Sequence, residues 1–120
     1  GDTGPYIQFA LARCCSLLKK TRLTTRRFDV TSFNDLDHEV VRLLERFPSL
    51  VEKAGREYKP SLVALYLLDL VKIFNHFYLR NPVLQSDNTL KQGRLALVSC
   101  VRSVLFNGLT LLAIDAPEEM

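Results

Sequence analysis

Side chains able to do chemistry gather in two places. The first is the run Phe74-Asn75-His76-Phe77-Tyr78, which sets aromatic rings beside hydrogen-bonding groups within about one helical turn. Rings stack, and amide and imidazole groups donate and accept. The second is a set of six cations among the first 34 residues: Arg13, Lys19, Lys20, Arg22, Arg26 and Arg27, opposed only by Asp2 and Asp29. That third carries +4, while the remaining 86 residues hold ten basic and eleven acidic side chains, a balance of −1. A basic patch on a near-neutral body suits a polyanion. A solvated basic helix end has the same composition, and charge alone does not choose between them.

Catalytic chemistry finds no support. The glycines, at 1, 4, 55, 93 and 108, match neither the dinucleotide fingerprint nor a P-loop. The cysteines (14, 15 and 100) and the histidines (38 and 76) lack metal-ligand spacing, and Cys14 and Cys100 read as core filling. No serine stands in an elbow motif, and no Cys/His pair is indicated. A lone helical histidine such as His76 reads first as a hydrogen-bonded structural residue. The expectation is no catalytic residue, no metal and no cofactor in this chain.

The elements that position these groups follow from periodicity and punctuation. Pro60 to Arg80 reads as a central helix, apolar nearly all round, with Asp69, Lys72, His76 and Arg80 as its polar line. Pro60 suits a first turn, and Asn81-Pro82 stops the helix. A first helix opens at Pro5 and carries Ile7, Ala10, Leu11, Cys14, Leu17 and Leu18 on one stripe. Lys19, Lys20 and Arg22 close it, and residues 26–34 read as a loop. A second helix starts near Asn34 or Asp35, with Asp37 and Glu39 in its first turn, and Pro48 ends it. A short third helix runs through Ala54. The last spans about Thr89 to Leu112, with Asp87 or Asn88 as its cap. Gly93 and Gly108 inside it imply close helix packing. The expected fold class is all-α, a bundle of four to five helices.

The bulk numbers agree. With 120 residues and 48% apolar content, the chain forms one domain able to bury its own core. An odd cysteine count with an adjacent pair reads as reduced and intracellular. The longest apolar run, Leu62 to Leu68, is far short of the ~20 residues of a membrane span, so no membrane partner is expected. Neither a signal-peptide layout nor an initiator methionine is present, so the chain reads as a piece of a longer protein.

Two stretches resemble a known family. Gly1-Asp2-Thr3-Gly4-Pro5-Tyr6-Ile7-Gln8-Phe9-Ala10-Leu11-Ala12-Arg13 is similar to the segment of arginyl-tRNA synthetases that joins the catalytic body to the C-terminal helical domain. Phe74-Asn75-His76-Phe77-Tyr78, Pro82-Val83-Leu84, Arg94-Leu95-Ala96-Leu97, Val104-Leu105-Phe106-Asn107-Gly108-Leu109 and the closing Leu111 to Met120 resemble that family's anticodon-binding domain. The domain is named after an Asp-Ala-Leu-Arg motif, which is not intact here; Gly93-Arg94-Leu95 is the nearest stretch. Phe9 stands where a hydroxylated ring is usual, so stacking survives and the hydroxyl does not.

The resemblance implies an anticodon reader, with residues 1–34 a junction helix and basic loop and 35–120 the bundle, excised from a longer synthetase. The partners it implies are tRNA-Arg and an upstream catalytic domain of the same chain, which would use ATP with magnesium. A monomer in the cytoplasm, or in a mitochondrion, is expected. It places the anticodon against Tyr6, Phe9 and Arg13 on the first helix, Tyr78 at the end of the central helix, and Met120. Lys19, Lys20, Arg22, Arg26 and Arg27 would take phosphates. Asn75 and His76 are read as structural, with Asn75 capping or bracing the turn after the central helix, and Phe74 and Phe77 as core. A helical protein–protein adaptor, or an RNA-binding cofactor of a tRNA-modifying enzyme, is the competing reading.

Overall fold

The computed structural model describes residues 3–23 and 30–115. They form five α-helices: α1 (Thr3–Lys20), α2 (Asp35–Glu45), α3 (Phe47–Arg56), α4 (Ser61–Arg80) and α5 (Asn88–Asp115), with a 3-10 turn at Val30–Ser32. No strand occurs among the described residues. The all-α expectation is met.

α4 is the hub. It packs on α1, α2, α3 and α5, and its Leu67, Leu70, Val71, Phe74 and Phe77 are wholly buried. Its expected polar line, Asp69, Lys72, His76 and Arg80, is exposed. α1 makes its most extensive contact with α5 and buries Ile7, Ala10, Cys14 and Leu17 on one stripe. Burial pushes the Cys14 thiol up to about 12, so it stays protonated as core filling. At Gly108 a Cβ would lie 2.6 Å from the side chain of Leu67, which explains the glycine on this face of α5. α4 and α5 have the length and hydropathy of spanning helices, and both are core helices of the bundle.

Three boundaries differ from the sequence reading. The break after α2 falls at Arg46 instead of Pro48, because Pro48 sits inside the first turn of α3, where a missing N–H costs nothing. Pro60 is the N-cap of α4 and not its first helical residue. α5 runs from Asn88 to Asp115, longer than expected at its C-terminal end. Cys100 is exposed and not in the core; the inward stripe of α5 is Val98, Val101, Leu105 and Leu109, and Cys100 points away from it.

One polar network locks the bundle at the end where α4 stops. Asn34 caps α2 by accepting from the backbone N–H groups of Leu36 and Asp37, and Asp37 accepts in return from the Asn34 N–H at 2.9 Å. The Asp37 carboxylate is fully buried. Arg94 of α5 donates to it through Nε and Nη2, both at 3.0 Å, and Asn81 donates at 2.9 Å. The Arg94 Nη1 reaches Ser86 Oγ at 2.9 Å, and Asn34 and Asn81 exchange side-chain bonds at 3.0 Å. A buried charge pair needs such complete hydrogen bonding to offset its lost hydration. The network fixes the turn directly after the last residues of α4.

Candidate nucleic-acid interface

Spacings of three and four residues place Tyr6, Phe9 and Arg13 on one side of α1. α1 lies against the C-terminal half of α4, and this brings Asn75 and Tyr78 opposite them. The Arg13 guanidinium sits 4.3 Å from the centroid of the Tyr78 ring and 5.5 Å from that of Phe9. Both are cation–π distances. Arg13 Nη1 donates to Asn75 Oδ1 at 3.3 Å, and Asn75 Nδ2 donates to the Tyr6 hydroxyl oxygen at 3.4 Å. Five residues from two helices, brought together only by tertiary packing, thus form one cluster. Phe9 is 68% exposed, Tyr6 is 41% exposed, and Tyr78 is half-buried with its ring against Phe74.

Beside the cluster is a hollow of about 260 Å³, lined by Phe9, Arg13, Ser16, Leu17, Lys20 and Tyr78, together with Ala12. It holds two cations and no carboxylate. A larger hollow, about 560 Å³, lies across α4 and is lined in part by Asp35, Glu39, His76 and Arg80. Its two carboxylates oppose an anionic ligand, so the smaller one is the better candidate for a polyanion despite its size.

The expected contact residues are distributed as follows. Tyr6, Phe9, Arg13, Lys20 and Tyr78 meet at this one place. Lys19 and Arg22 are exposed at the end of α1, and the Arg22 carbonyl accepts from Gln92 Nε2 at 3.1 Å, which pins that end to α5. Arg26, Arg27 and Met120 lie outside the described residues. Phe74 and Phe77 are core, as expected. Two expectations are corrected. Asn75 does not brace the turn after α4; its side chain faces α1, and Asn81 holds the turn through Asp37. His76 is exposed and its side chain makes no hydrogen bond among the described residues, because it belongs to the polar line of α4. Sequence reasoning missed the link from Asn75 to both Arg13 and Tyr6. No local signal marks it, since the partners lie more than 60 positions away in the chain. Among the described residues no group of His, Cys, Asp and Glu could hold a metal ion.

A family profile described as the DALR anticodon binding domain matches residues 7–120. The whole chain is 40% identical to part of the arginine–tRNA ligase of Thermococcus kodakarensis and 42% identical to part of that of Lactobacillus johnsonii, covering 20% and 21% of those proteins. Among solved structures, the Thermus thermophilus arginyl-tRNA synthetase superposes with a TM-score of 0.87 at 34% identity, over 93% of this chain and 20% of that one. The chain therefore spans about a fifth of the length of the relatives it matches, and it aligns with their C-terminal part.

Proposed function

The chain belongs to the DALR anticodon-binding domain family, and from that premise we propose that it reads the anticodon loop of tRNA-Arg on behalf of an arginine–tRNA ligase. The parent enzyme would activate arginine with ATP and magnesium in a catalytic domain of the same chain and transfer it to the tRNA. This domain contributes binding and orientation only. The observation that supports the reading best is the acid-free hollow where Phe9, Tyr78 and Arg13 converge beside Lys20.

The geometry suits an unpaired loop. Sequence-specific RNA recognition uses bases splayed out of their stack, laid on aromatic rings and bonded along their edges. Phe9 offers an exposed ring, and Tyr78 a half-buried one braced from behind by Phe74. Lys19, Lys20 and Arg22 follow on the same helix end, where phosphates would gain a salt-dependent attraction. Tyr78→Ala is expected to weaken binding to a tRNA-Arg anticodon stem-loop by about tenfold, one stacked base's worth. Phe9→Ala, at a position too exposed to matter for stability, should act in the same direction. Anisotropy titration with thermal unfolding as the fold control decides. Unchanged affinity in both folded variants contradicts the proposal.

A further inference from the structure

We propose that Asn75 is a positioning residue that fixes Arg13 as a fork for the acceptor edge of one unpaired base, so that the pair sets which base the site accepts; this rests on the anticodon-loop reading above. The Arg13 guanidinium is held on three sides. Tyr78 lies 4.3 Å from it, Phe9 lies 5.5 Å from it, and Asn75 Oδ1 takes one of its N–H groups at 3.3 Å. Asn75 is itself oriented by its bond to the Tyr6 hydroxyl at 3.4 Å. Arg13 makes no ion pair among the described residues. A guanidinium carries five N–H donors in a rigid plane, so holding the plane and occupying one Nη leaves the others in a set direction.

Such a fork matches two adjacent acceptors, whether on a base edge or on a phosphate. The surroundings favour the base. The hollow next to Arg13 is lined by the rings of Phe9 and Tyr78 and by Ala12 and Leu17, with Ser16 and Lys20 completing it. A flat base can cover the two rings, Ala12 and Leu17, whereas a phosphate on Arg13 would leave them wet, and Lys20 at the rim can take the phosphate of the same nucleotide. Asn75 carries no charge, so it cannot add to the salt-dependent part of binding. Its effect belongs to the choice of base.

The test uses a panel of tRNA-Arg anticodon stem-loops in which each unpaired base is replaced in turn. The native chain, Asn75→Ala, Arg13→Lys, Arg13→Ala and the Asn75→Ala/Arg13→Ala double variant are titrated against the panel by anisotropy, at two salt concentrations, with thermal unfolding alongside. At one loop position the native chain should prefer bases with paired acceptors by about tenfold or more. Asn75→Ala and Arg13→Lys should each shrink that preference to about twofold, and Asn75→Ala should leave the salt slope unchanged. Adding Asn75→Ala to Arg13→Ala should change nothing further, the signature of two residues acting as a unit. A uniform loss across the panel, an unchanged preference, or additive effects would overturn the proposal. If Asn75→Ala does not fold, Arg13→Lys decides alone, since it keeps the charge and loses the fork. A native chain that binds no loop overturns the functional reading itself; binding with the preference untouched by these variants overturns only the role of Asn75 and Arg13.

Discussion

Asp37 shows how far one residue can depart from its local signal. By position it is a first-turn carboxylate of α2, well placed for the helix dipole, and the sequence supports no more than that. In the fold it is wholly buried and accepts four hydrogen bonds, two of them from Arg94. Arg94 was legible only as part of a weakened motif, because nothing near either residue announces the other. Removing one partner of a buried pair strands the remaining charge. Arg94→Leu should therefore cost about 3–5 kcal/mol of stability, read as the shift in a urea denaturation curve. A loss below about 1 kcal/mol would mean that the network is slack. The site residues divide the same way. The place of Tyr78 at the end of the central helix was readable. The bond from Asn75 to Arg13 was not, since it exists only once α1 is laid against α4.

At the scale of elements, caps and stripes carried most of the information. α2 starts at Asp35, within the expected Asn34 or Asp35, with Asn34 as its cap, and the apolar stripe of α1 is the one that enters the core. The boundary between α2 and α3 was misplaced by two residues because proline is tolerated inside a first turn as well as being a breaker, and sequence does not say which use applies. Cys100 was misassigned because α5 is apolar over a broad arc, which leaves its rotation undetermined until α1 and α4 are in place. Glycines make the packing testable. Gly108→Ala would drive a Cβ to within 2.6 Å of Leu67, a fully buried side chain with little room to move. Overpacking of this kind costs about 1–3 kcal/mol and outweighs the gain in helix propensity of ~1 kcal/mol. Gly55→Ala meets nothing within 4 Å and should stabilise by about 0.5–1 kcal/mol. Thermal unfolding of the two variants should move in opposite directions. A stabilising Gly108→Ala would mean that α4 and α5 are not in tight contact.

At the scale of the whole molecule, the described residues form a rod of about 43 × 24 × 23 Å. Its length is that of α5, whose 28 residues rise ~42 Å. α1 and α4 lie along α5, and the aromatic and basic cluster occupies the seam between α1 and α4. The distribution of charge over the chain left a polyanion site and a solvated helix end equally open, and it was the family resemblance that singled out an anticodon loop. The fold adds a place where rings and cations meet without a carboxylate. The most direct test is an anisotropy titration of the chain with the tRNA-Arg anticodon stem-loop and with the same loop altered at its middle anticodon base, at low and moderate salt. The account predicts binding at least about tenfold tighter to the arginine loop, with both affinities falling as salt rises. Equal affinity for the two loops, or no binding at low salt, would contradict it.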